Sequence, residues 1–387
     1  MSLERIAHAQ PECSDLISKI SHFSAGKLYH ELTGSLLALL KHLKPQSDRL
    51  QVFNEHVDPI ASFMNPVKVV EAVRLLTLDT SDDCRYSLQL LTGQIAPIAS
   101  AFTRDNRDAH ILALALQAEL QLRSDQVVQS RETLDIAEKQ LKDAQWAFGL
   151  CWEAHSEMKR VSASYYKRTG DTFRFFEESV QYLSFTPVAE IPETARPSVA
   201  FEVSIADLIS PKVHDFGKLL LQPLLHAPNV LPDWLMKTIV AFDRGDIVGY
   251  QAQRSHLESL PELQGNAAVL NRKICEMALL ELATNQPSPR LLSFVQIAQA
   301  CRLPSVASVE PLVLHALAEG LVRGSVDQVA GEFRVDFVQP RLLDLARLQA
   351  LRARLDHWAQ QTQKLAETVE GLASADLLSA ATVVTTK

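Results

Sequence analysis

Residues 320–338 have the sequence GLVRGSVDQVAGEFRVDFV, and this stretch decides the fold. From 333 to 337, phenylalanine and valine alternate with charged residues, which is the two-residue period of a half-buried strand. We therefore predict one strand at 333–338 and a partner strand at 321–326, with a turn at 327–331 between them. The two strands would form a short antiparallel β hairpin.

Two helices are predicted immediately before this hairpin. Ser293 is a suitable N-cap for a helix that ends at Ala300. The apolar stretch 306–319 predicts the second helix, which Gly320 ends. Two helices followed by a hairpin are the order of a winged helix, so we predict that fold for 290–340.

The helix predicted after Pro340, at 341–372, carries an apolar seam. Spacings of three and four place the seam residues at positions a and d of a heptad. They are Leu348, Leu351, Leu355, Trp358, Thr362, Leu365, Val369 and Leu372. Each large apolar side chain removed from water contributes about 1.5–3 kcal/mol, so an uncovered seam favours a partner in another chain. A helix that folds back on its own domain is the alternative, and periodicity does not separate the two.

The first 184 residues predict a series of helices. Two helical hairpins, at 108–141 and 146–183, repeat after about 36 residues, close to the period of tetratricopeptide repeats. Each such hairpin buries one face only by stacking on the next, so we predict a right-handed helical-repeat solenoid. Shorter helices are predicted upstream at 27–41, 67–78 and 85–91.

Prolines interrupt the helices after this region. Pro187, Pro192 and Pro197 lie in 185–198, which we predict to be an extended connector. Helices resume after the connector, with predicted bounds of 199–209, 213–221, 232–243 and 266–282. Pro232 is expected at the first helical position of the third of these. The fold class is therefore mainly α, with one short antiparallel β hairpin.

These breaks predict a domain plan. Its parts are the repeat domain at 1–184, the connector, a second domain at 199–340, the terminal helix at 341–372 and a frayed tail at 373–387. The second domain divides into a helical part at 199–284 and the winged helix at 290–340.

Composition excludes several classes of protein. The net charge is −8, which argues against a general binder of nucleic acid or anionic membranes. The first residues contain no apolar signal sequence, and no apolar run approaches the roughly 18 residues that cross a bilayer. The cysteines are scattered without a Cys-x-x-Cys pair, so we expect reduced thiols in the cytoplasm and nucleus. They are Cys13, Cys84, Cys151, Cys275 and Cys301.

Catalytic and metal-binding motifs are missing from the sequence. The 12 histidines form no His-x-His or His-x-x-x-His pair. There is no nucleophile elbow, no dinucleotide-binding glycine motif and no phosphate-binding loop. Asp243 and Asp246 flank Gly245, and we expect them to end one helix and cap the next rather than to act as paired carboxylates. We predict no enzyme activity, no cofactor and no metal.

A winged helix can bind nucleic acid, and this is an alternative of a different class. The helix predicted at 306–319 carries Glu310 and Glu319 but no lysine or arginine, which disfavours contact with phosphates and bases. Basic residues lie instead on the hairpin and beyond it, where we expect a solvated face or an acidic protein partner. They are Arg323, Arg334, Arg341, Arg347, Arg352 and Arg354.

The small sheet offers a second contact surface. An exposed strand edge can pair with a strand of another subunit. We take Arg323, Ser325, Arg334 and Asp336 of the hairpin as the candidate residues of this surface. A repeat domain that ends in such an edge and in an apolar helix is typical of an assembly module.

Several short stretches carry a family resemblance. The order of helical repeats and winged helix resembles the PCI-domain family, which has scaffold subunits in the proteasome lid, the COP9 signalosome and translation initiation factor 3. Within it, the stretches are similar to the subunit-13 family of the proteasome regulatory particle, over roughly 165–358. They are DFGKLL at 215–220, QPLL at 222–225, AFDRGDI at 241–247, LNRKI at 270–274, GLVRGSVD at 320–327 and VQPR at 338–341.

The resemblance implies a non-catalytic scaffold subunit of the lid, with 199–340 as its PCI domain. In this family the winged helices of six PCI subunits align, and the C-terminal helices gather into a bundle. It implies a PCI neighbour, subunit 12, and a nearby ubiquitin receptor as partners. The signalosome and the initiation factor are the alternative complexes.

Overall fold

The computed structural model describes residues 14–43, 46–77, 107–147, 152–286, 290–341 and 345–372. The predicted helix at 85–91 and tail at 373–387 lie outside these residues, and so do Cys13, Cys84 and Cys151. Most of the described residues are helical, and one small antiparallel sheet lies in the C-terminal third of the chain. The predicted fold class is confirmed.

The chain divides into two compact units, Met1–Ala278 and Leu279–Lys387. The division falls inside the helix Ala267–Asn285. The domain boundaries placed at 184 and 198 stay predictions.

Four α-helices lie in the described residues 14–43 and 46–77, with a π-helical turn and a 3-10 helix between the last two. They are α1 (Ser14–Ala25), α2 (Tyr29–His42), α3 (Gln46–Val52), the π turn Phe53–Val57, the 3-10 helix Asp58–Phe63 and α4 (Pro66–Thr77). Leu32, Leu36 and Leu39 of α2 are buried at helical spacing. Leu28 lies just before the helix and is exposed.

Two helical hairpins follow, as predicted. They consist of α5 (Arg107–Arg123), α6 (Val127–Ala147), α7 (Trp152–Thr169) and α8 (Thr172–Phe185). Ile111 and Ala115 of α5 share one apolar core with Leu134 and Ala137 of α6 and with Met158 of α7. Because small alanines alternate with larger residues, neighbouring helices pack closely.

The segment after α8 differs from the predicted extended connector. A 3-10 helix, Val188–Glu190, interrupts it, and the next helix, α9 (Arg196–Ile209), begins before the predicted start at 199. Pro197 lies in the first turn of α9. A proline is compatible with this position because the first backbone N–H groups of a helix have no partner within it.

The helix predicted at 213–221 is reduced to one turn, α10 (Gly217–Leu220). Val213, His214 and Phe216 are all buried. Residues 213–216 are not helical, and Nε2 of His214 lies 3.1 Å from Oε2 of Glu276, 62 residues further along the chain. The 3-10 helix Pro223–His226 follows.

Five α-helices complete the first unit and lead into the second. They are α11 (Asp233–Arg244), α12 (Ile247–Ala252), α13 (Arg254–Glu258), α14 (Pro261–Gly265) and α15 (Ala267–Asn285). Gly245 ends α11 with a φ of 67°, and the Asp246 carboxylate caps α12 by accepting from the Val248 N–H at 3.0 Å. The predicted capping role of Asp246 is confirmed. α11 extends one residue past Asp243, to Arg244, and Pro232 is its N-cap rather than its first helical residue. A Cβ on Gly245 would lie 2.7 Å from the Cα of Ala278, so a glycine is required here for space as well as for φ.

The second unit contains the predicted helix, helix and hairpin. Its elements are β1 (Leu291–Ser293), α16 (Phe294–Ala300), the 3-10 helix Val306–Ser308, α17 (Val309–Ala318), β2 (Val322–Asp327), β3 (Glu332–Val338) and α18 (Leu345–Leu372). Ser293 caps α16 in a capping box with Gln296, as its sequence position predicted. Phe333 and Val335 of β3 are buried, in agreement with their alternation.

The predicted hairpin of β2 and β3 is confirmed, and a third strand that was not predicted extends it into a three-stranded sheet. The order is β1-β3-β2, and both pairings are antiparallel. β1 is only three residues long, too short to show a period of two, and it forms by pairing with β3 about 40 residues further along the chain. β3 is therefore the central strand, and β1 and β2 are the edges.

Candidate assembly surfaces

The terminal helix α18 exposes its apolar seam. It has 28 residues and is about 42 Å long at a rise of 1.5 Å per residue. The seam residues Leu348, Leu351, Leu355, Trp358, Leu365 and Val369 are between 40% and 67% exposed. The side chain of Leu372 lies outside the described residues. Within the described part of the chain, then, no element covers the seam, and its role as a partner interface stays a prediction.

The helix is anchored just before its first turn. Nη2 of Arg341 donates to Oε2 of Glu281 at 2.7 Å, and the Arg341 side chain is nearly buried. This ion pair connects the segment that precedes α18 to α15 within the second unit. The predicted start of the terminal helix at 341 is four residues early, because Arg341 is not helical and α18 begins at Leu345.

The four hairpin residues predicted to form a contact surface are all exposed, but they lie on two different strands. Arg323 and Ser325 belong to the edge strand β2. Arg334 and Asp336 belong to β3, with Nε and Oδ1 3.6 Å apart. Arg334 pairs with Leu291 of β1 on one side and with Ser325 of β2 on the other, so the expectation of an edge position is corrected for this residue. Asp336 lies beyond the residues of β3 that pair with β1.

A bulge interrupts the ladder between β2 and β3. Arg323 pairs with Phe337 and Gly324 with Val335, so Asp336 of β3 is the extra residue. A Cβ on Gly324 would lie 2.0 Å from the carbonyl oxygen of Arg334. The Arg323 guanidinium lies 5.2 Å from the ring centroid of Phe337. The bulge limits the straight part of the edge to Ser325–Asp327, because a bulge twists and interrupts the ladder.

Helix α17, in the position of a recognition helix, has an apolar and acidic surface. Leu314 is exposed on its outer face, and the Glu310 carboxylate accepts a hydrogen bond from Gln328 at 3.1 Å. No lysine or arginine occurs in its sequence, VEPLVLHALA. This surface is unsuited to phosphate contacts, which need cationic donors.

A buried lysine, missed by sequence reasoning, lies in the first unit. Lys273 of α15 is 1% exposed, and its ammonium group donates to the backbone oxygens at the C-terminal end of α9. The acceptors are the carbonyl oxygens of Asp207 at 2.5 Å, Leu208 at 3.3 Å and Ser210 at 2.9 Å. A cation at this end of a helix is favoured by the helix dipole, and the Phe216 ring adds a cation–π contact at 4.7 Å.

Lys273 belongs to a buried polar cluster, which we define as Asp207, His214, Lys273 and Glu276. Nε2 of His214 lies 3.1 Å from Oε2 of Glu276, and both side chains are buried. Neither carboxylate oxygen of Asp207 has a hydrogen-bond partner among the described residues. Burial raises the pKa of Asp207 to about 7, and burial lowers the pKa of Lys273 to about 8. A sequence signal was present, because Lys273 interrupts an apolar stripe formed by Leu270, Ile274 and Met277.

This cluster predicts a pH-dependent stability that Asp207→Asn should remove. The folded-state pKa of Asp207 is raised from 3.8 to about 7, so the folded chain keeps a proton that the unfolded chain has lost. The contribution of protonated Asp207 to the free energy of unfolding is fully present below about pH 4. It is lost as the pH rises towards 7. The wild-type chain should therefore lose stability relative to Asp207→Asn across this range.

Urea unfolding of both chains at pH 4.5, 5.5, 6.5 and 7.5 measures their free energies of unfolding. Groups that titrate equally in the two chains contribute equally, so they do not affect the difference. The measured quantity is the free energy of unfolding of the wild type minus that of Asp207→Asn. If this difference stays constant, or grows with pH, the raised pKa of Asp207 is contradicted.

A charged network connects the helices of the repeats. The Arg160 guanidinium of α7 bonds to Glu119 of α5 and to Glu157 of α7, and Arg74 of α4 pairs with the same Glu157. The two carboxylates outweigh burial and raise the pKa of Arg160 above its ordinary value. These groups line a groove of about 890 Å³ together with Tyr182. The network joins three helices that are distant along the chain.

Comparison with known proteins identifies the family. The family model described as PSD13 N-terminal repeats matches residues 16–239, which is more than half of the chain. The chain belongs to the PSD13 family. The PCI domain model matches residues 250–337, which contain the three-stranded sheet apart from the last residue of β3. Both the helical repeats and the PCI architecture predicted from the resemblance are confirmed.

Relatives match over nearly the whole length of the PSD13-family chain. The 26S proteasome non-ATPase regulatory subunit 13 of Dictyostelium discoideum is 28% identical over 382 residues, covering 95% of this chain and 96% of the relative. The 26S proteasome regulatory subunit RPN9 of Saccharomyces cerevisiae is 29% identical and covers 94% of both chains. Subunit M of translation initiation factor 3 from Coccidioides immitis is 25% identical over 51% of this chain.

The described residues of the PSD13-family chain contain neither a membrane-spanning helix nor a metal-binding cluster. No described helix is long and apolar enough to cross a membrane. In the same residues, no group of three or more histidine, cysteine, aspartate or glutamate side chains is arranged to hold a metal ion. Cys275 and Cys301 form no disulfide bond with any described residue.

Proposed function

We propose that this chain is a non-catalytic scaffold subunit of the proteasome lid, with a role in assembling the complex that degrades ubiquitin-labelled proteins. One observation carries the proposal: similarity to 26S proteasome regulatory subunits extends over 94–95% of the chain. The initiation-factor relative matches only 51%, which favours the proteasome over the initiation factor. The lack of a nucleophile, cofactor or metal motif in the sequence supports a non-catalytic role.

The proposal assigns two contact surfaces. The first is the seam of α18, with Leu348, Leu351, Leu355, Trp358, Leu365, Val369 and Leu372 as its residues. Its support is the exposure of those side chains that are described, since exposed apolar residues in one continuous stripe favour association. The second is the winged helix, with residues Arg323 and Ser325 of β2 and residues Arg334 and Asp336 of β3.

The proposed partners are other PCI and lid subunits. The PCI neighbour, subunit 12, would contact the winged helix, the C-terminal helices of the lid would cover α18, and the ubiquitin receptor would lie nearby. The proposed compartments are the cytoplasm and nucleus, in keeping with Cys275 and Cys301, which form no disulfide bond with any described residue.

Deletion of residues 345–387 tests the proposal. This truncation removes α18 but keeps the ion pair between Arg341 and Glu281, so the rest of the second unit should stay folded. We expect far-UV circular dichroism to lose only the signal of one helix. We expect the truncated chain to be missing from proteasomes purified from cells that express it.

Mass spectrometry of the proteins that co-purify with the full chain is the companion measurement. Lid subunits as the main partners are expected. Incorporation of the truncated chain at full stoichiometry would remove α18 from the proposal. Signalosome or initiation-factor subunits as the main partners would overturn the assignment to the proteasome.

A further inference from the structure

The apolar seam has basic flanks in the N-terminal half of α18. With Leu348 and Leu355 at position a, Arg352 occupies position e and Arg354 position g, one on each side of the seam. Both arginines are exposed. Arg352 makes one ion pair with Asp356, at 3.8 Å on the surface, and such a pair contributes little. Both guanidinium groups are therefore available to a partner.

The C-terminal half of the same helix has uncharged flanks. Its positions e and g hold Ala359, Gln361, Ala366 and Thr368. The acidic residues of this half, Glu367 and Glu370, occupy positions f and b, which do not border the seam. The seam is thus basic along its first half and neutral along its second, although the whole chain carries a net charge of −8.

A second copy of this chain does not complement these flanks. No aspartate or glutamate occupies a position e or g anywhere between 345 and 372. No register of two copies of α18, parallel or antiparallel, therefore places an acidic flank against Arg352 or Arg354. Residues at e and g select partners and orientation in helical assemblies, so the chain disfavours pairing with itself.

We infer that the first half of the seam is covered by a helix of a different chain whose own seam is flanked by aspartate or glutamate. This inference rests on the proposed function and adds the chemistry of the partner. The apolar seam supplies affinity in this arrangement, and the two arginines select an acidic helix among several apolar ones. The flanks of the second half are uncharged, so shape complementarity rather than charge selects the helices that pack against it.

Charge reversal at the flanks tests the inference. The variant Arg352→Glu/Arg354→Glu keeps every seam residue, and it should weaken incorporation into the purified proteasome by about tenfold or more. The matched control is Ala353→Glu/Gln360→Glu/Lys364→Glu, which changes the charge of α18 by the same amount at positions c and f. The control should incorporate like the wild type at both 50 and 300 mM salt.

The partner is identified with a photo-reactive amino acid in place of Gln349, an exposed residue in the first half of α18. Mass spectrometry of the cross-linked product should find a partner helix with aspartate or glutamate beside its seam. Replacing those acidic residues of the partner with lysine should restore incorporation of Arg352→Glu/Arg354→Glu. A partner helix with basic or neutral flanks would overturn the inference. Full incorporation of the charge-reversed chain would do the same.

The oligomeric state of the isolated chain separates the remaining outcomes. Sedimentation should show a monomer, and a dimer that depends on Leu355 and Trp358 would mean that a second copy covers the seam. If seam substitutions abolish incorporation while charge reversal does not, the inference fails and the proposed function stands. If neither has any effect, α18 has no role in assembly, so the inference fails and α18 is removed from the proposed function.

Discussion

Lys273→Met should lower the free energy of unfolding of the chain by about 3–5 kcal/mol, the range for removing one partner of a buried charged pair. The substitution keeps the length of the side chain and removes only its charge and its donors. Three carbonyl oxygens, of residues 207, 208 and 210, then lose their shared donor. The Asp207 carboxylate also loses the cation that lowers its pKa against the effect of burial. Chemical denaturation at pH 7 measures the loss.

Two further variants make this prediction specific. Lys237→Met, on the exposed side of α11, removes a lysine from the surface and should change stability by less than about 0.5 kcal/mol. The double variant Asp207→Asn/Lys273→Met should lose less than Lys273→Met alone, because it no longer buries an uncompensated carboxylate. If Lys273→Met proves as harmless as Lys237→Met, the buried ammonium group does not hold α9 against α15.

Leu355→Asp/Trp358→Asp should abolish assembly and leave the isolated chain folded. The two side chains are 53% and 67% exposed, so they contribute little to the stability of the chain alone. In the proposed complex each would contribute about 1.5–3 kcal/mol by burial, so their loss weakens binding by roughly 10²–10⁴-fold. Placing two carboxylates in a dehydrated seam adds to this loss. Co-purification with lid subunits measures the effect.

The matched control for the seam introduces the same two charges elsewhere on α18. Ala353→Asp/Gln360→Asp changes two positions f, on the side opposite the seam, and should assemble normally. Circular dichroism and thermal unfolding of both isolated variants should match the wild type. If the seam variant unfolds while the control does not, the seam is covered by its own chain and its role as a partner surface is wrong.

Local patterns predicted much of this fold. The alternation at 333–337 marked the central strand, and Ser293, Gly245 and Asp246 marked helix ends at the positions observed. Each of these signals depends on residues within one or two turns of each other. Backbone hydrogen bonding and side-chain spacing over that distance are the same in any fold.

Features that depend on distant residues escaped prediction. The strand β1 exists only through its pairing with β3. The chain at 213–216 is not helical, and its buried His214 meets Glu276, 62 residues further along the chain. The position of Arg334 between two strands also follows from β1, which no period indicated.

The exposed seam of α18 shows what the amino-acid sequence determines by itself. Its heptad spacing, its apolar residues and its basic flanks follow from residue order along one helix, whose geometry is constant. Lys273 shows what only the tertiary structure decides. Its ammonium group meets the carbonyl oxygen of a residue 66 positions away, and the helix end that binds it exists only when α9 and α15 are packed together. The spacing of residues along one helix shows which side chains share a face of that helix. Whether a charged side chain is buried depends on which helices pack against each other.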